Sequence, residues 1–240
     1  MQETLLQNMI QTITDHHILI LPALRDIIII ALLGFASAFI LGTLIALVTT
    51  NPNKNIFSTI AKNFFAGYVL LIRGLPLTVQ LLLWFFVIFP LVIGLRLPAF
   101  TVAIIVFSID GSAYISETIR GAVQSVDKGQ FEAGRAAGLT NFQTMRKIIL
   151  PQSYRNSVPQ FGNELIGMTK ATSVLSFITI TDITLAANLI IARTFEPITP
   201  YLLLGITYLV IVYFLTLIIK FFEKVVFVRG RKYNSRKRFV

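Results

Sequence analysis

The sequence has no cysteine. That excludes a disulfide framework and any thiolate metal site. Its two histidines, His16 and His17, are adjacent. Neighbouring helical residues point to different faces, so the pair reads as interfacial side chains and no metal site is expected. Charge is scarce: 13% of the 240 residues are Asp, Glu, Lys or Arg, where a soluble domain carries about 25%. No Gly-x-x-x-x-Gly-Lys-Ser/Thr loop is present, so ATP hydrolysis on a phosphate loop is not expected of this chain. The first 20 residues lack the basic start and apolar core of a cleavable signal peptide. No internal repeat or low-complexity segment stands out.

What fills the space is apolar. The hydrophobic fraction is 55% and the mean hydropathy is +0.76. Residues 27–48 and 74–95 are charge-free runs of 22, and 197–219 is one of 23. Each is long enough for a hydrocarbon core, which takes about 20 apolar residues. Two further spans carry charges: residues 98–119 hold Asp110 and Glu117, and residues 158–192 hold Glu164, Lys170 and Asp182. The expectation is an all-α integral membrane protein with about five transmembrane helices. The second apolar region begins near residue 63 and is interrupted by Arg73-Gly74-Leu75-Pro76. It is either one long tilted helix or a helix kinked at Gly74 and Pro76. A second bend is expected at residues 179–182.

The net charge of +10 is unevenly distributed. With the N-terminus outside, the inside segments hold Lys54, Lys62, Arg120, Lys128, Arg135, Arg146, Lys147, Arg155 and eight cations between positions 220 and 238. The outside segments hold only Arg25, Arg96 and Arg193, and Arg73 and Lys170 lie within spans. This positive-inside bias places the C-terminus in the cytoplasm. Three regions follow. Residues 1–21 form an extracytoplasmic segment with a short amphipathic helix, 22–228 a transmembrane domain, and 229–240 a basic tail. The tail reads as a lipid-facing anchor rather than a nucleic-acid arm.

Ionisable residues inside spans are costly and are functional candidates by default. Asp110 and Glu117 are seven residues apart, nearly in phase at about 100° per residue, with Tyr114 between them. This acidic and aromatic stripe suits an ammonium group, or a guanidinium over the Tyr ring. Glu117 either faces the path or pairs with Arg120 one turn away. Arg73 either grips a carboxylate in bidentate fashion or closes an ion pair with a neighbouring span. Lys170 and Asp182 carry the same two readings, and Glu164 reads as structural.

Residues 127–155 form a charged, cleanly punctuated cytoplasmic loop. Asp127 is an N-cap with Gln130 as its reciprocal partner, and the helix it starts stops at Gly138. Thr140 and Gln143 repeat the capping box, and Pro151 ends the second helix. In the first helix Ala133, Ala136 and Ala137 share a face beside Gly134, which lets another backbone approach closely. In the second, Phe142, Met145 and Ile149 form the apolar stripe.

Glu132-Ala133-Gly134, Gly138-Leu139, Ile148 and Leu150-Pro151 closely resemble the "EAA" coupling loop of bacterial ABC-importer permeases. The segment 72–80, Ile-Arg-Gly-Leu-Pro-Leu-Thr-Val-Gln, resembles the "RGTPLLVQ" of that family's polar amino-acid branch, with Leu75 for Thr. The segment 113–121 is similar to "AAYLAEIVRGG", and 170–176 to "KDTSLAS", with Ala171 in place of Asp. The resemblance implies the type I importer (MetI-like) permease fold and a subunit that takes polar or charged amino acids across the bacterial inner membrane. It implies that Glu132, Ala133, Gly134, Gly138, Leu139, Leu150 and Pro151 meet a cytoplasmic ATP-binding subunit dimer. ATP and Mg would be held there, and this chain itself would hold no cofactor. A second permease subunit, identical or related, and an extracytoplasmic solute-binding protein complete the expected assembly, surrounded by membrane lipid. Arg73, Asp110, Tyr114, Glu117 and Lys170 are the substrate-path candidates. The two acids on the third span lean towards a cationic amino acid. Rival readings are the same machine with another small polar solute (an amino-acid derivative, an opine or a sulfur compound), an ion-coupled secondary transporter, and a membrane scaffold.

Overall fold

The computed structural model describes residues 2–51 and 55–236, and the side chains of 6–51 and 55–226. Lys54 and residues 237–240 of the basic tail lie outside the described residues. Every regular element among the described residues is helical.

Helix α1 (Gln2–Thr49) follows the apolar run expected from residue 27 and extends it back to Gln2. It passes through Pro22, and its one non-helical residue is His16 (φ −118°, ψ 15°). The Thr50 hydroxyl closes its C-terminus by donating to the Ala46 carbonyl at 2.6 Å. Asn55 then caps α2 (Ile56–Gly74), its Oδ1 accepting from Ser58 N at 2.9 Å.

The region around Arg73-Gly74-Leu75-Pro76 breaks rather than tilts. Helix α2 stops at Gly74, and Pro76 sits at the N-cap of α3 (Leu77–Leu82) with φ −57° and ψ 139°. The proline ring disfavours helical geometry at Leu75, which accounts for the stop. A π-helical stretch, Leu83–Ile93, continues from α3 and ends at Gly94 in the left-handed region (φ 78°). This corrects the expected second span. The run 74–95 is a shorter apolar helix, Leu77–Ile93, whereas Ile56–Gly74 is long and apolar enough to cross a membrane. Lys62 and Arg73 hide α2 from a search for charge-free windows, and hydropathy does not register the break at Pro76.

Helices α4 (Ala99–Gln124) and α9 (Ile198–Arg236) match the third and last expected spans. Residues 229–236 of the basic tail continue α9. The fourth is a broken pair: helical segments Asn141–Ile178 and Ile183–Thr194 bend by 52° across the four residues between them. It comprises α6 (Asn141–Thr144), a π turn (Met145–Ile149), α7 (Leu150–Ala171), a 3₁₀ turn (Thr172–Ile178) and α8 (Ile183–Thr194). Four helices, or five with the bent pair, are long and apolar enough to span a membrane.

These helices build two compact units. One comprises 1–36, 75–108 and 165–214; the other comprises 37–74, 109–164 and 215–240. In the first, Ile27 and Ile30 of α1, Phe107 of α4, and Leu175 and Ile178 are fully buried. A Cβ on Gly34 would meet Phe107 Cβ at 2.8 Å, so α1 and α4 approach as close as glycine permits. Asp182 is fully buried there as the N-cap of α8, its Oδ1 accepting from Leu185 N at 2.7 Å. In the second unit, Ile45 of α1, Val69 and Ile72 of α2 and Ala113 of α4 form a common core. Gly42 plays the part of Gly34: its Cβ would lie 2.8 Å from Ile115 Cβ and from the Ser112 carbonyl. Serines 112 and 116 donate to carbonyls of their own helix three residues back, so the small polar face of α4 is internally satisfied.

Candidate functional site

The second unit contains a cleft of about 670 Å³ between α2 and α4. Helix α2 lines it with Lys62, Ala66, Val69, Leu70 and Arg73, the three-and-four spacing of one helical face. Helix α4 answers with Tyr114, Glu117 and Arg120, again one turn apart. Tyr68 joins the two helices beside it, its hydroxyl donating to the Ile109 carbonyl at 2.8 Å and lying 2.7 Å from Ser112 Oγ.

Glu117 is the centre of the charged lining. Arg120 Nε donates to its Oε1 and Nη2 to its Oε2, both at 2.7 Å, a bidentate pair. Arg73 Nη1 stands 3.7 Å from the same Oε2. The Arg73 guanidinium carbon lies 5.2 Å from the Tyr114 ring centroid, within cation–π range. Glu117 and Arg73 are therefore each ion-paired, and each lines the cleft. Lys62, Arg73 and Arg120 against Glu117 leave the lining with more positive than negative charge.

Three of the expected path residues, Arg73, Tyr114 and Glu117, come together here. Asp110 does not line the cleft: it is half-buried on α4, and seven residues of helix rise about 10 Å from Glu117. Lys170 is exposed at the end of α7, in the other unit. The sequence reading missed Lys62. Its signal was the eleven-residue spacing to Arg73, three helical turns that return to the same face.

The loop 127–155 lies wholly in the same unit. Asp127 caps α5 (Lys128–Ala136), but its side chain accepts from Gly129 N at 2.6 Å and not in a reciprocal box. Gln130 turns instead to Gln152, with 3.3 Å between their side-chain amides. The helix ends in a Schellman motif: Leu139 N donates to the Gly134 carbonyl and Gly138 N to the Arg135 carbonyl, with Gly138 at φ 76°. The Thr140–Gln143 capping box forms as expected.

Pro151 does not end the second helix. The chain passes from α6 through the π turn into α7, and Leu150 is helical. Leu150 N donates back five residues to the Met145 carbonyl. This wider turn sits just ahead of a residue with no N–H and relieves the proline ring against the preceding turn. Met145 and Ile149 are buried as expected, whereas Phe142 is exposed. Glu132, Ala133, Ala136, Ala137, Gly138 and Pro151 are exposed, Leu139 and Leu150 half-buried. Gly134 is buried beneath Thr144, so its small size serves packing inside the loop.

Comparison with known proteins identifies the family. Residues 38–228 match the family described as binding-protein-dependent transport system inner membrane component. A putative glutamine transport system permease protein of Rickettsia conorii is 33% identical over 77% of this chain and 82% of its own length. The nopaline transport system permease protein of Agrobacterium fabrum is 34% identical over 85% of this chain and 86% of its own. The arginine transport system permease protein of Bacillus subtilis is 34% identical over 65% and 71%. Among solved structures, a chain of "an amino acid ABC transporter with histidines" superimposes with a TM-score of 0.79 at 31% identity, covering 90% of this chain and 97% of that one. A chain of the inward-facing MetNI methionine ABC transporter shares the fold, with a TM-score of 0.71 at 16% identity over 87% and 96%. The chain belongs to the inner-membrane components of binding-protein-dependent transport systems.

Proposed function

We propose that this chain is the permease subunit of an ATP-driven importer of polar or charged amino acids, and that the cleft between α2 and α4 receives the substrate. The observation that carries this reading is the arrangement around Glu117. Arg73 and Arg120 offer two guanidinium groups for an α-carboxylate, and Glu117 offers an acceptor for an α-ammonium. A zwitterion satisfies both signs, and Tyr114 holds Arg73 in place from below. With Asp110 outside the cleft and cations in excess, the lean towards a cationic side chain gives way to recognition of the part all amino acids share. The names of the glutamine and arginine relatives, and the histidines of the solved neighbour, accord with that breadth. An opine, which keeps an amino-acid carboxylate, fits the same lining, and the nopaline relative favours it as the second reading.

The exposed face of α5, with Glu132, Ala133 and Gly138 and followed by Leu139, is the surface we assign to a cytoplasmic ATPase pair that binds ATP and Mg. Leu150 and Pro151 set the direction in which α7 leaves the loop. Closure of the ATPases pushes on residues 128–151 and moves packed helices as rigid bodies between two accessible states. A second permease subunit and an external binding protein complete the machine. The charge bias supports an orientation with residues 1–21 outside and the tail in the cytoplasm.

The test is uptake of radiolabelled Arg, His, Gln and Glu into proteoliposomes holding the chain with its ATPase and binding protein. ATP-dependent uptake that is lost with Glu117→Gln and retained with Asp110→Asn supports both the importer and the cleft. ATP-dependent uptake indifferent to Glu117→Gln removes the cleft from the path. Uptake that follows an ion gradient without ATP overturns the importer.

A further inference from the structure

A second groove in the same unit, of about 400 Å³, lies between the end of α1 and residues 142–154. Its walls are Leu47 near the end of α1, Phe142 and Met145 of the second loop helix, and Leu150 and Tyr154 at the start of α7. Asn51 and Arg146 are polar lining residues, and Arg146 is the charged one among the described residues. Phe142 is 64% exposed although it sits in a charged, water-compatible loop. Internal packing does not account for that exposure. Arg146 is exposed and makes no ion pair among the described residues.

Two further observations say what covers this surface. Ile40, Leu44 and Leu47 follow one another at i, i+4 and i+7 on α1, all exposed, so an apolar strip runs along the span and ends in the groove. The span itself ends at Thr49. The groove therefore sits where hydrocarbon gives way to headgroups, with a cation and a tyrosine at the level where membrane proteins carry them. Tyr154 is fixed in that wall by ring contacts with Phe39 at 6.3 Å and Phe161 at 6.4 Å.

We propose that this groove binds an anionic phospholipid, its phosphate on Arg146 and its upper acyl chain along Leu47, Phe142, Met145 and Leu150. The site joins the membrane to the loop that couples to the ATPase. The lipid thereby bears on the same π turn, Met145–Ile149, that redirects the loop into α7. The reading needs only that the chain spans a membrane, and it stands whether or not the α2–α4 cleft carries substrate.

The chain has no cysteine, so single labels are straightforward. A bimane on Phe142→Cys is read in vesicles holding the transporter with cysteine-free partners, with Asn51→Cys as a second reporter on the other rim. Leu44→Cys reports the general lipid face. Doxyl-labelled phosphatidylglycerol is titrated against doxyl-labelled phosphatidylcholine. One arginine on an anionic headgroup predicts half-quenching at about fivefold less phosphatidylglycerol at positions 142 and 51. Leu44 should show no headgroup preference. Adding Arg146→Gln should bring the two headgroups together at 142 and 51. Equal quenching by both headgroups with Arg146 present would overturn the proposal. So would labels at 142 and 51 that stay unquenched while Leu44 is quenched, the result expected if a partner protein covers the groove.

Discussion

Gly134 and Thr144 touch across the turn between α5 and α6: a Cβ on Gly134 would stand 2.5 Å from Thr144 Cγ2 and 2.7 Å from its Oγ1. Both residues are buried. Alanine at 134 would gain up to about 1 kcal/mol in helix propensity. Overpacking against a β-branched neighbour held in a helix costs about 1–3 kcal/mol. The clash wins, so Gly134→Ala should destabilise the loop, seen as faster limited proteolysis at residues 135–145. Adding Thr144→Ala to the Gly134→Ala chain should restore protection. A double-mutant cycle with no coupling between the two sites would refute the contact.

Much of this was legible from residue order. The Thr140–Gln143 box, the stop at Gly138 and the break near residues 179–182 depend on local backbone chemistry, and the structure has each of them. What stayed hidden depends on the third dimension. Gln130 looks like the partner of Asp127 until Gln152, 22 residues later, is brought beside it. Pro151 reads as a terminator because its local rule ignores the π turn that accommodates it. Asp110 and Glu117 share a face by period, but periodicity is silent on how far along the axis a cleft extends.

Arg73 stacks on Tyr114 as well as meeting Glu117, so its shape matters beyond its charge. Arg73→Lys keeps the cation but loses the planar fork. It should raise the KM for uptake about tenfold or more, whereas Tyr114→Phe, which keeps a ring face, should stay near the parent value. The side chains of Arg73, Arg120 and Glu117 are partly exposed, so thermal stability should change by less than about 1 kcal/mol in each variant. A large fall in stability without a KM change would make this trio structural.

Gly138 holds φ at 76° to close the Schellman motif, and it is exposed. Two demands can therefore be separated there. Gly138→Asn keeps a residue that tolerates the left-handed region, whereas Gly138→Ala adds about 1 kcal/mol of strain. If conformation alone matters, ATP-dependent uptake should fall for Ala and hold for Asn. If a close partner surface matters, both should fall, and Gly138→Asp should uncouple ATP hydrolysis from uptake. Intact coupling in Gly138→Asp would remove this residue from the ATPase contact.

Thr179 occupies the same conformation without glycine's freedom. It follows the 3₁₀ turn with φ 68° and ψ 12°, and Ile180 N reaches back to the Leu175 carbonyl. A β-branched residue there is strained by about 1–2 kcal/mol. Thr179→Gly relieves that strain but loosens the unfolded chain by about 0.4–1 kcal/mol. Thr179→Asn relieves part of it without that entropy. Both should raise the melting temperature by roughly 1–4 °C for a chain of this size, with no gain from Thr179→Val. The turn lies at the 52° bend before Asp182, so relieving it should also slow transport if the bend changes angle during the cycle. Melting curves of the four chains in one detergent decide the strain. A fall in melting temperature for both Gly and Asn would show that the Thr179 side chain holds the bend together by contacts that outweigh its backbone.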